Sequence, residues 1–134
     1  MTIEAVDHPK HYNAHPSGIE AVEACEHLSF NLGNALKYLW RVGLKGDAVE
    51  DLRKAEWYLT REAQRLRQRP GGSFELSMGS REWHAPAKLA ALHDGGVLGD
   101  VLRILLDFAR CDVLIDNVPV DALLRVQKEI EARR

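Results

Sequence analysis

The chain has 134 residues, with 18 Lys plus Arg against 20 Asp plus Glu and 46% hydrophobic residues. A formal net charge of -2 with 28% charged residues excludes an acidic disordered chain and argues against a basic protein that coats nucleic acid. The length supports one core and is too short for two large catalytic domains.

No apolar run approaches the roughly 18 residues of a membrane span. Met1-Thr2-Ile3-Glu4 has no basic region followed by an apolar stretch, so a secretory signal is not expected. Cys25 and Cys111 are far apart and neither belongs to a CxxC pair, which fits a reduced, cytoplasmic setting. The charge is unevenly spread. Residues 1–30 carry -4, residues 31–70 carry +4 and residues 71–134 carry -2. Anion binding is therefore expected in the middle third, beside an entry holding His8, His11, His15 and His27.

In chain order, residues 1–16 contain Pro9 and Pro16, lack apolar periodicity and read as an irregular arm. Ser17-Gly18-Ile19-Glu20 has the form of a capping box, opening a short helix with Ile19, Val22 and Leu28 inward. A second helix is predicted from Phe30 to Val42, with Leu32, Leu36 and Leu39 on its core face and Gly43 as its stop. Asp47-Ala48-Val49-Glu50 offers another start, for a helix reaching Arg69 with Leu52, Ala55, Leu59, Ala63 and Leu66 inward. Trp57 lies off that stripe and is expected to pack against the C-terminal region.

Pro70-Gly71-Gly72-Ser73 is the strongest boundary. It divides a helical unit, 1–69, from a linker, 70–80, and a C-terminal region, 81–134, that packs on the first or mediates oligomerisation. Phe74 to Met78 reads as a short extended piece, Pro86 to His93 as a short helix, and Val97 to Leu114 as a strongly amphipathic one. That last stripe is Leu98, Val101, Leu102, Leu105 and Phe108. Pro119 opens a final helix with Leu123, Val126 and Ile130 inward. The expected fold is all-α, a compact bundle of five or six helices with an irregular N-terminal arm.

Three groups of residues could carry chemistry. The arm His8-Pro9-Lys10-His11-Tyr12-Asn13-Ala14-His15 could bind a metal, contact an anion or nucleotide, or cap and pack locally; no cysteine supports a closed zinc site. Asn34, Lys37, Tyr38 and Arg41 are spaced i, i+3, i+4, i+7 and share the polar face of the second helix, followed by Lys45. Lys and Arg one turn apart can reach one phosphate, Asn can orient a base or sugar, and Tyr can stack. Against this stands a solvated face with no partner. Asp51, Lys54 and Tyr58 flank the third helix, and a short turn could bring them beside Lys37 and Arg41. Asp51 could then hold a metal or orient a base, or merely complement the helix dipole. Glu20 is explained by a capping box alone. The chain contains no GxxxxGK[ST], HExxH, GxSxG or EF-hand pattern. Both cysteines lie on predicted helices and are expected to be packed rather than nucleophilic.

The stretches HPKHYNAHPSGIE, FNLGNALKYLWRVGLKGD and EDLRKAEWYL together resemble a family of small tailed-phage proteins. That family is catalogued as a domain of unknown function, and its members are often labelled nucleotide kinases. The resemblance rests on His8, Pro9, His11 and Tyr12, on Gly18 and Glu20, on Asn34, Lys37, Tyr38 and Arg41, and on Asp51, Leu52, Lys54 and Ala55. It covers residues 6–62. It implies phosphoryl transfer to a deoxynucleoside monophosphate without a Walker loop, with ATP and Mg2+ as cofactors and a host-cytoplasmic location. His8, His11, Arg41 and Asp51 would be catalytic. Tyr12, Asn34, Lys37, Tyr38, Lys45 and Lys54 would bind substrate or phosphate, and Glu20 or Asp51 a metal. The alternative is a non-catalytic protein that sequesters nucleotides or regulates through them. The expected partner is a nucleotide, with no membrane and no extended nucleic acid; self-association is a further expectation.

Overall fold

Six α-helices make up the regular structure of the residues described by the computed structural model, which are 15–44, 46–68, 81–110 and 118–134, apart from the side chains of 108–110, 118 and 119. They are α1 (Ala21–Cys25), α2 (Phe30–Arg41), α3 (Ala48–Arg67), α4 (His84–Leu92), α5 (Val97–Arg110) and α6 (Val118–Ala132), with a 3-10 turn at Arg81–Trp83. No strand occurs among these residues, so the all-helical expectation holds. The arm through residue 14, Lys45, the boundary at 70–73, the extended piece at 74–78 and Cys111 lie outside the described residues.

The stripes read from sequence bury as their periodicity requires. Leu32, Leu36 and Leu39 of α2 are buried, as are Leu52, Ala55, Leu59, Ala63 and Leu66 of α3. Gly43 ends α2 with φ +79°, a left-handed value that costs a glycine nothing. Asp47 caps α3: its Oδ1 accepts from the Val49 and Glu50 N–H groups at 2.9 and 3.4 Å. The short turn between them makes α2 and α3 an antiparallel pair. This pair packs most extensively, α6 lies along α3, and α4 and α5 close the other side. One hydrophobic cluster draws on all six helices and on Trp83, which is fully buried although no periodic pattern includes it.

Several local expectations are corrected. The first helix starts at Ala21, and its capping box is Glu20 with Glu23, whose carboxylate accepts the Glu20 N–H at 2.7 Å. Ser17 is not the cap; its hydroxyl accepts from Ile19 N–H in a tight turn. Ala21 and Ala24 are the buried residues of α1, Ile19 and Leu28 are partly buried, and Val22 is 53% exposed. A helix of five residues turns too few faces inward for the longer stripe to apply. The fourth helix begins two residues early, at His84, because the Arg81–Trp83 turn leads straight into it. Trp57 is 61% exposed instead of packed on the C-terminal region, since α6 takes a different face of α3. In α6, Ala122 joins Val126 and Ile130 in the core, with Leu123 only partly buried.

Polar contacts tie distant parts of the chain together. His15 Nε2 lies 2.8 Å from Asp94 Oδ2, seventy-nine residues on, and its ring sits 5.4 Å from that of Trp40. Ser17 N–H donates to His15 Nδ1, which leaves Nε2 to donate to the carboxylate. Asp94 Oδ1 meanwhile accepts from Gly96 and Gly99 N–H at the start of α5. Gly99 passes so close to the Asp94 carbonyl that a Cβ there would collide with it. His15→Ala is expected to cost about 1–3 kcal/mol, the range for leaving a buried hydrogen-bonding group unsatisfied, in a urea melt. A loss under a few tenths would show that the contact does not hold these two segments together. Farther along, Asp100 accepts from Arg103 at 2.8 Å and from Arg125 at 2.7 Å. These bonds, Arg103 first, hold its carboxyl below the ordinary range, and the one from Arg125 straps α6 to α5.

Candidate functional site

The site is built on the antiparallel pair α2–α3. On α2, Lys37, Tyr38 and Arg41 leave the core face because Leu32, Leu36 and Leu39 occupy it. On α3, Asp51 and Lys54 sit in and just beyond the first turn, directly across the hairpin. Arg41 Nε lies 3.2 Å from Asp51 Oδ1, and the Asp51 side chain is only 3% exposed. Asp51 Oδ2 is buried with no hydrogen-bond donor among the described residues. A buried carboxylate oxygen without a donor is an expensive arrangement.

Tyr38 is the centre of the positive charge. Lys37 Nζ is 5.0 Å from its ring centroid, Lys54 Nζ 5.3 Å and Arg41 Cζ 6.0 Å. All three cations fall within about 6 Å, the reach of a cation–π contact. The ring itself stacks on Tyr58, at 6.0 Å between centroids and 13° between planes. Lys54 pairs with Glu50 at 3.2 Å, and that hydrogen bond keeps its ammonium more firmly protonated than usual. Three side chains from two helices therefore hold positive charge around one aromatic ring.

The hairpin thus brings together Lys37, Tyr38, Arg41, Asp51 and Lys54 of the residues expected from sequence. Asn34 lies on the same face, but its amide donates to Phe30 O at 2.9 Å, one turn back on its own helix. Glu20 belongs to the capping box of α1. His8, His11, Tyr12 and Lys45 lie outside the described residues. Among the described residues, no group of three or more His, Cys, Asp or Glu side chains is placed to hold a metal ion. Cys25 ends α1, where burial pushes its thiol up to about 12, so little nucleophilic thiolate forms near neutral pH.

Sequence reasoning missed Glu62. It is fully buried, accepting from Ser29 Oγ at 2.6 Å, from Asn31 Nδ2 at 3.5 Å and from Arg65 at 2.5 and 3.0 Å. Its signal was an acid set between Leu59 and Leu66 in an apolar stripe. Glu62 ties the start of α2 to the C-terminal part of α3, as Arg41–Asp51 ties its end to the first turns of α3. The two pairs hold the hairpin in register and fix the positions of Lys37, Tyr38 and Lys54 between them.

The fold and this face describe an all-helical protein with a basic, aromatic hairpin surface. Residues 6–60 match the family described as "Protein of unknown function (DUF3310)", so a domain of unknown function spans the arm, α1, α2 and more than half of α3. Every residue proposed for the site lies inside that match. No curated protein and no solved structure matches the chain. Among the described residues, no helix is long and apolar enough to cross a membrane.

Proposed function

We propose that the α2–α3 face binds a nucleotide through its phosphates, and that the protein is a nucleoside monophosphate kinase-type phosphotransferase that works without a Walker loop. The observation that carries this reading is the buried Asp51 holding Arg41 beside Tyr38, with Lys37 and Lys54 on either side. A guanidinium kept beside a buried carboxylate by charge attraction is more confined than a freely moving surface cation, which suits a phosphate. The resemblance of the arm and the hairpin to tailed-phage proteins labelled nucleotide kinases supplies the reaction class. It also supports His8, His11 and Tyr12 as further contacts of the arm with the nucleotide.

In the reaction, an anionic phosphate oxygen of the monophosphate attacks the terminal phosphorus of ATP. The bond from that phosphorus to the bridging oxygen breaks, and two diphosphates leave. No proton need be removed from the attacking oxygen, so the demand on the protein is positioning and charge neutralisation. Lys37, Arg41 and Lys54 are suited to both tasks, and Tyr38 to packing against a base. Asp51 does not fit a magnesium ligand, because the guanidinium at its Oδ1 holds the carboxylate and would repel a dication. Its role here is to position Arg41.

That same engagement of Asp51 favours a second reading, a protein that binds nucleotides without turning them over. Incubation with ATP, Mg2+ and each deoxynucleoside monophosphate, followed by chromatography, is expected to yield diphosphates. Thermal shift with the same nucleotides, with and without Mg2+, should show stabilisation, since a ligand of the native state raises apparent stability. Stabilisation without product leaves the sequestering protein; neither signal overturns both readings.

A further inference from the structure

A second aromatic surface adjoins the site, and its two exposed rings play no part in the reading above. Phe30 is 75% exposed and Trp57 61% exposed, whereas the other two tryptophans, Trp40 and Trp83, are buried. Both exposed rings stand nearly perpendicular to Tyr58, Phe30 at 6.0 Å and 76° and Trp57 at 5.1 Å and 87°. Neither is stacked on another ring among the described residues. Two large rings left in water beside the same tyrosine mark a surface that another molecule covers.

The charges around these rings identify the occupant. Arg53 and Arg61 lie four residues before and after Trp57, so the three share one exposed stripe of α3. Neither arginine has an ion-pair partner among the described residues, in contrast to Lys54, Arg41 and Arg65. Eight residues separate them, about 12 Å along the helix axis at 1.5 Å per residue. That span exceeds one phosphate group and suits successive phosphates of a chain. Exposed ring faces between cations spaced in this way are how proteins hold unpaired bases on a phosphate backbone. A duplex does not match, because its paired bases offer no free faces to the rings.

We propose that the surface of Phe30, Trp57 and Tyr58, flanked by Arg53 and Arg61, binds a short run of single-stranded nucleic acid, with bases stacked on Phe30 and Trp57 and phosphates on the two arginines. The site is local, so it is compatible with a chain of net charge -2 that cannot coat a polyanion. It uses neither Arg41 nor Asp51 and does not rest on the mononucleotide reading.

Fluorescence anisotropy of labelled oligo(dT) and oligo(U) with the full chain at low salt tests it, the two strands separating DNA from RNA. Either strand is expected to bind, and a hairpin duplex is not. Trp57→Ala should weaken binding about tenfold, the scale of one lost base–ring stack, and Trp57→Phe should restore most of it. The double variant Arg53→Ala/Arg61→Ala should lower the slope of log affinity against log salt by about 1–2, at roughly 0.7 per phosphate contact. Trp57→Ala should keep any thermal shift that mononucleotides give, which separates this proposal from the kinase reading. No anisotropy change with either strand, or equal affinity of the Trp57→Ala variant, overturns it. So does competition by a mononucleotide that removes all oligonucleotide binding. If Trp57→Ala instead dissociates an oligomer in sedimentation and leaves strand binding unchanged, the surface belongs to a second copy and the proposal falls.

Discussion

Arg41→Ala is expected to destabilise the protein by about 3–5 kcal/mol, the usual cost of breaking a buried ion pair from one side. Asp51 is 2% exposed, so its carboxylate cannot turn to water when the guanidinium is removed. At this chain length the loss corresponds to a melting temperature lower by on the order of 10–20 °C. Asp51→Asn should be milder, about 1–3 kcal/mol, because Arg41 is 19% exposed and finds solvent. The double variant Arg41→Ala/Asp51→Ala should recover much of the loss, since no charge is then stranded. Both single variants should also lose the thermal shift expected with nucleotides, Arg41→Ala by removing the proposed phosphate contact and Asp51→Asn by loosening the placement of Arg41. A fully stable Arg41→Ala protein would show that Asp51 is solvated and that the hairpin does not depend on the pair.

The second large effect is at Glu62. Glu62→Ala should cost about 3–5 kcal/mol in a denaturant melt. The side chain is fully buried, and Ser29, Asn31 and Arg65 all donate to it. Its bond to Arg65 also holds that guanidinium more firmly protonated than usual. Glu62→Gln should cost less, about 1–3 kcal/mol, because Ser29 keeps an acceptor while the charge facing Arg65 is gone. The location of the damage is the sharper test. Ser29 is the N-cap residue of α2, so amide exchange should accelerate in the first turn of α2 before the rest of the hairpin. Uniform acceleration across all helices would mean that Glu62 supports the core in general and not this junction.

Much of the helical content was legible because buried leucines and alanines at helical spacing leave a strong imprint, as in α2, α3 and α5. The end of α2 at Gly43 and the cap of α3 at Asp47 were legible for the same local reason: each is decided within a turn of chain. Ser17 and Glu20 show the limit of such signals. The spacing of a capping box occurs twice in overlapping form, at Ser17–Glu20 and Glu20–Glu23, and Ser17 instead joins the turn whose histidine reaches Asp94. Among the site residues, the common face of Lys37, Tyr38 and Arg41 followed from 3.6-residue periodicity. The ring stack of Tyr38 on Tyr58 did not, because it depends on how two helices cross.

The division of the net charge follows the same line. Sequence alone placed +4 in residues 31–70 and set the polar face of α2 opposite its leucines, since both depend only on composition and local period. Tertiary structure decided what those charges do. It joined Arg41 to a buried Asp51, committed Arg65 to Glu62, left Arg53 and Arg61 in water beside Trp57, and tied His15 to Asp94. Pairing is a matter of distances between helices, and burial turns a weak surface attraction into one that orients a side chain. A one-dimensional pattern encodes neither quantity, so the charges could be counted from the sequence but only the packed hairpin shows which of them are paired and which face water.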